Sequence, residues 1–259
     1  MKQRLYQVIL PTLLMIKSFL SKVMKIVSYN IAKCAQSKID HVLGMSADLY
    51  IRPECACREP VTLPEGYGML WTGDDDIPYK GLGVLWKNHL SVNIVQNYRK
   101  IRHHLPLLAN GAGFSKFVLA CWPTISKEER KTYPQLLLGA LREYSFYLDR
   151  FPAIALGDFN CFIGQKGMSR TTRTFEDCVS EFDGHGMYSM YHTQAKENFG
   201  RESEATFYWR FNEKSPFFLD YAFSSIEPKH FSIGKWEPEI SDRRPLIIEI
   251  EDEEWDGNP

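Results

Sequence analysis

The strongest constraint on this chain is a series of short apolar runs. Each is too short for an ordinary helix, and several end in a polar or turn-forming residue. "KIVSYNI" (Lys25 to Ile31) reads as a buried strand, and "ADLYIRP" as the next, stopped by Pro53. "GLGVLW" and "SVNIV" read as a strand pair around Lys87, Asn88 and His89, where asparagine suits a turn. "FSKFVLACW", "FPAIALGDFN", "ATFYWRF", "FFLDYAFSS", "HFSIGKW" and "PLIIEI" continue the series. Helical spacing interrupts it in three places: Ile39, Val42 and Leu43; Leu137, Leu141, Tyr144 and Leu148; and Phe175, Cys178 and Phe182. Many strands with few helices between them predict an α+β sandwich, two packed sheets with helices outside.

At 259 residues and 44% hydrophobic composition, the chain can bury a sizeable core, as one large domain or two small ones. No repeat or low-complexity linker divides it. The expected organisation is an extension over residues 1–23, one domain over 24–250 and an acidic tail over 251–259. The extension has the outline of a weak leader, with Lys2 and Arg4 before a short apolar stretch, but no small-residue cleavage site follows. Gln7 and Pro11 interrupt the stretch, so no stable membrane insertion is expected. Six cysteines without a C-x-x-C pair argue against zinc and for reduced thiols of cytoplasmic type. A monomer is expected. A formal net charge of -1 provides no global cationic field for nucleic acid. Basic material is local, in "YRKIRHH" and at Arg243 and Arg244, with His103 and His104 expected on the surface.

Polar groups at the ends of apolar strands are the informative positions, because strand-end loops carry function on a rigid scaffold. Asn30, Glu54, Asp158, Asn160 and Asp242 all sit at such ends. Each has an ordinary alternative as a turn residue or helix cap. Asp220 differs: it lies inside an aromatic run, where a carboxylate is costly unless paired or bound to a cation.

Taken in order, "VSYNI", "ECA", "GLGV", "ALGDFN", "FFLDYAFSS" and "SDRRPL" resemble the endonuclease/exonuclease/phosphatase family, relatives of DNase I. The resemblance spans about residues 24–250, and "YHTQAKENFGRESEATFY" further resembles a poorly characterised bacterial branch. It implies two stacked mixed β-sheets flanked by helices, with the site at one end of the sandwich. It also implies a Mg²⁺ ion, with Mn²⁺ as substitute, held by Glu54 with help from Asn30 and Asp242, a sparse oxygen set of the kind Mg²⁺ accepts. Asp158 would orient or deprotonate the attacking water and Asn160 would donate to the phosphate. Trp122 and Arg244 would contact the substrate, a nucleic acid or a small phosphate ester.

The chain departs from that pattern at the position of the family's S-D-H histidine, which is Arg243 here. A guanidinium can hold a phosphate but stays protonated at ordinary pH, so it cannot transfer a proton. Asp220, expected to brace that histidine, would pair with Arg243 instead. Pro53, Phe218 and Ala32 replace polar residues of the family's site. His192 reads as a packed, hydrogen-bonded histidine. The expectation is a metal-dependent phosphoesterase weakened by Arg243, with a silent phosphate-binding relative as the alternative.

Overall fold

The computed structural model describes residues 23–32, 35–56, 62–74, 80–99, 101–111, 114–125, 130–165 and 173–251. The expected extension and acidic tail lie almost wholly outside these residues. Two six-stranded sheets form the body of the molecule. The first has the order β13 (His230–Ile233), β14 (Leu246–Glu251), β1 (Val23–Ser28), β2 (Leu49–Cys55), β4 (Gly81–Lys87) and β3 (Tyr67–Gly73). The second has the order β5 (Ser91–Ile94), β6 (His104–Gly111), β7 (Phe114–Cys121), β8 (Ala153–Asp158), β12 (Asp220–Ser224) and β9 (Tyr188–Ser189). A short hairpin of β10 (Phe207–Tyr208) and β11 (Pro216–Phe217) stands apart from both.

Successive side chains of a strand point to opposite faces, as a period of two requires. In β1 and β2, Met24, Ile26, Leu49 and Ile51 join the main core, while Val27 and Tyr50 pack in a second cluster with Val42 of α1 (Gln36–Gly44). The central strand β8 is buried along its whole length. Its cover includes α2 (Tyr133–Glu143), α3 (Ser145–Arg150) and α4 (Phe175–Gly184), which supply Leu137, Leu148 and Phe182 to the same core. Thr132 and Thr174 each begin a helix with a reciprocal capping box, to Gln135 and Asp177, satisfying backbone donors that a helix start leaves open. The helix expected to run continuously to Leu148 breaks at Tyr144, yet the apolar stripe continues across the break.

Sheet direction sets where the polar strand ends meet. β1 and β2 are parallel, as are β7 and β8, so the members of each pair finish together. β14 runs antiparallel to β1, and β12 antiparallel to β8, so these strands start where their partners finish. Asn30, Glu54, Asp158, Asp220 and Arg243 thereby come to one end of the sandwich.

Several expectations are corrected. Pro53 does not stop its strand: β2 continues to Cys55 through a bulge in which Pro53 and Glu54 together oppose Leu82. Pairing to β1 already ends at Ile51, so the missing proline N–H breaks no ladder bond there. The runs around Lys87 to His89 do not pair with each other. β4 pairs with β2 and β3, whereas β5 crosses to the other sheet and pairs with β6. The run "ATFYWRF" is a strand only at Phe207 and Tyr208 before it curls into a 3-10 turn. His103 and His104 are buried: β6 begins at His104, opposite Cys121, and His103 stacks on Trp122 at 4.8 Å. Burial pulls the His104 imidazole down to about 4. Among the described residues no helix is long and apolar enough to cross a membrane.

The close approach of β7 to β8 depends on one glycine. Gly157 has φ +144, and a Cβ there would meet the Cys121 carbonyl oxygen at 1.9 Å. Gly157→Ala is therefore expected to lower unfolding stability by at least about 2 kcal/mol, from backbone strain plus the clash. Urea denaturation checks this, and an unchanged midpoint would mean that the two strands do not approach so closely.

Candidate active site

The centre of the site is the Arg243 guanidinium, which is only 5% exposed. Its Nη2 lies 2.8 Å from Asp158 Oδ2 and its Nη1 donates to Asp220 Oδ2 at 3.1 Å. The Phe207 ring covers its face, with 4.0 Å from Cζ to the ring centroid. Its Nε lies 4.0 Å from Asp242 Oδ1 and has no hydrogen-bond partner among the described residues.

Backbone contacts hold this segment in place. Phe207 and Arg243 form an isolated antiparallel bridge, flanked by bonds from Tyr208 N to Asp242 O and from Arg244 N to Thr206 O, both 2.8 Å. Ser241 Oγ donates to Asn30 O at 2.6 Å and accepts from Arg243 N at 3.1 Å, fastening the segment to the end of β1. Thr206 Oγ1 accepts from the backbone of Leu219 and Asp220, fixing the start of β12. Sequence reading missed Ser241, Thr206 and Phe207 as site residues. The serine beside "DRR" and the threonine opening "TFYW" were the available signals.

Asp158 is wholly buried, with both oxygens engaged. Oδ2 receives Asn30 Nδ2 at 3.0 Å as well as Arg243, and Oδ1 receives the Asn160 backbone N–H at 3.0 Å. Burial raises the proton affinity of Asp158, against the pull of Arg243 and these donors. Asp220 has fewer donors, and burial pushes it up to about 8 despite Arg243, with the Asp158 charge adding to the rise. Burial alone would weaken the charge on Arg243. The carboxylates of Asp158, Asp220, Asp242 and Glu54 outweigh it and hold the proton more tightly than usual. One guanidinium between two buried carboxylates favours a single retained proton, and the donor count assigns it to Asp220.

Above this cluster opens a cleft of about 430 Å³, lined by Glu54, Asn160, Asp242, Arg243 and several aromatic rings. Glu54 adopts φ 56 at the bulge and Asn160 φ 54 after β8. A bulge re-aims a side chain, and left-handed backbone at a non-glycine residue carries a strain cost that functional sites often bear. Burial raises the proton affinity of Asp242, opposed by Arg243 and aided by the Glu54 charge. Two hard carboxylates lining one cleft fit a Mg²⁺ that keeps several waters. Asn30 does not line the cleft, and its amide oxygen accepts from Ala32 N at 2.9 Å. No group of three His, Cys, Asp or Glu side chains with metal-holding geometry occurs among the described residues.

Other expected residues lie outside the cleft. Trp122 is buried against His103 with Lys80 Nζ 5.5 Å from its ring centroid. Arg244 is tied to Glu204, to Gly234 O at 2.7 Å and to Ala205 O at 3.1 Å. In the basic loop, Arg102 forms a two-pronged pair with Asp74 at 2.6 and 2.8 Å. His192 is packed as expected, with its nitrogens 2.7 Å from Ser189 Oγ and 3.1 Å from Glu202 Oε1.

Two stacked mixed sheets with polar strand ends gathered at one end decide the architecture. It is the DNase I-like endonuclease/exonuclease/phosphatase fold. The endonuclease domain of TRAS1, a telomere-specific non-LTR retrotransposon, superposes with a TM-score of 0.61 at 11% identity over 88% of this chain and 98% of that one. An endonuclease/exonuclease/phosphatase family protein from Bacteroides thetaiotaomicron gives 0.54 at 16% over 88% and 98%. D. rerio TDP2 complexed with a single-strand DNA product gives 0.54 at 12% over 88% and 98%. No protein-family model and no curated protein matches the sequence.

A raised Asp220 has a definite consequence for stability. A carboxylate whose folded pKa exceeds its unfolded value contributes fully below the ordinary range, and the contribution fades as pH rises toward about 8. The native chain should therefore lose stability between pH 5 and pH 8, and Asp220→Asn, which mimics the protonated acid, should lose less. Thermal melts across that window check this. An Asn variant that is several kcal/mol weaker at pH 8 would mean that Asp220 is ionised in the pair.

Proposed function

We propose that the chain is a divalent-metal-dependent phosphoesterase of low turnover, acting on the phosphodiester bonds of nucleic acid. One observation carries this reading: Glu54, Asn160 and Asp242, from three separate strand ends, border a single cleft floored by Arg243. Likeness to a retrotransposon endonuclease domain and to a TDP2 bound to a single-strand DNA product supports nucleic acid over other esters.

In this reading Glu54 and Asp242 hold the cation. When bound, a divalent ion would polarise a phosphoryl oxygen and balance developing charge. Asn160 has one N–H spent on Pro123 O at 3.1 Å, which leaves the second to donate to a phosphate oxygen. The unspent Arg243 Nε–H is a further donor for the same anion. Asp158, oriented by Asn30 and the Asn160 backbone, is the carboxylate suited to take the proton of the attacking water. Its Oδ2 must first leave Arg243 to do so, and that requirement slows turnover.

A second reading, phosphate-ester binding without turnover, is favoured by the burial of Asp158 and the engagement of both its oxygens. Hydrolysis of bis(p-nitrophenyl) phosphate and of oligonucleotides in Mg²⁺ separates the two readings. Expected results are slow turnover by the native chain, background in Asp158→Ala, and a rise of about 10²–10⁴-fold in Arg243→His, the usual worth of an acid–base group. Native activity equal to Asp158→Ala, with activity only in Arg243→His, would leave the silent reading. Native activity untouched by Asp158→Ala would remove the assigned site. Independently of rate, Mg²⁺ should raise the melting temperature of the native chain and not of Glu54→Gln.

A further inference from the structure

Aromatic side chains run outward from the buried guanidinium in an unbroken series of ring contacts. Phe207 lies on Arg243, with Trp209 and Phe217 each 6.1 Å from Phe207 and Phe162 a further 5.6 Å from Phe217. At the outer end, Trp209 is 52% exposed and Phe217 38%, and Phe211, in the turn that follows Trp209, is 50% exposed. Three large exposed aromatics on one short hairpin are costly in water, and Trp209 and Phe217 line the same cleft as Glu54 and Asp242. The tip bears backbone strain as well, since Arg210 and Phe211 adopt φ 54 and 58, a conformation unfavourable for a bulky aromatic. The Arg210 guanidinium lies 5.7 Å from the Trp209 ring centroid, placing a cation beside the exposed face.

We infer that Trp209, Phe211 and Phe217 form a stacking platform for the unpaired bases of a single-stranded nucleic acid whose phosphate enters the cleft. The inference rests on the phosphoester reading of that cleft and adds what recognises the rest of the substrate. Rings continuous with a phosphate-sized polar site, with a cation alongside, match a chain of alternating anions and π-faces. With a net charge of -1, the protein gains little from phosphate neutralisation, so ring stacking must supply much of the affinity.

The test is fluorescence anisotropy of the full chain in EDTA, comparing an eight-residue oligothymidylate with a base-free oligomer of the same phosphate count. The native chain should bind the thymidylate about 10- to 100-fold more tightly, with a shallow salt dependence. Trp209→Ala and Phe211→Ala should each erase about 5-fold or more of that preference, whereas Trp209→Phe should retain most of it. Equal binding of the two oligomers overturns the platform. So does a preference untouched by Trp209→Ala in a variant with an unchanged melting temperature, or Trp209-dependent binding to phosphatidylserine vesicles without oligomer binding. Turnover of bis(p-nitrophenyl) phosphate is read separately. Hydrolysis without base preference removes only the platform, and base preference without hydrolysis removes only the enzyme reading.

Discussion

The Arg243 guanidinium ties the two sheets together at the end where their polar residues collect. Asp158 closes β8, Asp220 opens β12 beside it, and Arg243 arrives from the segment before β14 in the other sheet. None of the three charges is tolerable alone at that depth, because desolvating an unpaired ion costs several kcal/mol. With a guanidinium shared by two carboxylates and one retained proton, the cluster approaches neutrality. Planar Arg geometry matters here, since separate nitrogens reach separate carboxylates while Phe207 covers the flat face. Lysine would present a single point charge and lose that division.

The strain around the cluster follows from the same constraint. Strand ends carrying Glu54 and Asn160 turn through left-handed backbone, and Gly157 lets β7 approach β8 immediately before Asp158. At Glu54 and Asn160 the left-handed turn falls where a side chain lines the cleft. Ser241 and Thr206 complete the arrangement by spending hydroxyls on backbone groups, which makes position at the site a property of the main chain. The charged residues are therefore held by partners with little chemistry of their own.

Much of this was legible in the sequence because strand ends are. A run such as "ALGDFN" announces both a buried strand and polar residues at its mouth, and Asp220 stood out as a carboxylate that needed a cation. The sorting of strands between sheets was not legible. β4 and β5 share a turn and the same apolar character, and period two is silent about which sheet a strand joins. Pro53 misled because its cost depends on whether a neighbour needs its N–H, which only the ladder decides. His103 and His104 looked like surface charge beside basic residues, yet Arg102 satisfies Asp74 while the histidines turn inward toward Trp122 and Cys121. The exposed hairpin aromatics looked like strand interior for the same reason: composition marks a residue as apolar without saying what covers it.

Arginine at this position also changes how the site can distribute its work. A histidine there would offer a proton, but it would leave Asp158 and Asp220 with a weaker and pH-dependent partner. Arg243 supplies a permanent charge at the cost of occupying the carboxylate that a hydrolytic water would need. Phe218, buried against Tyr191 and Tyr221, extends the apolar surroundings that make such permanence necessary. Once Phe207 and the neighbouring aromatics cover the guanidinium, only a group that keeps its charge under desolvation can pair with both aspartates. The aromatic wall and the arginine are thus one arrangement. The rings strengthen the ion pairs beneath them, and the ion pairs keep Phe207 seated where the hairpin begins.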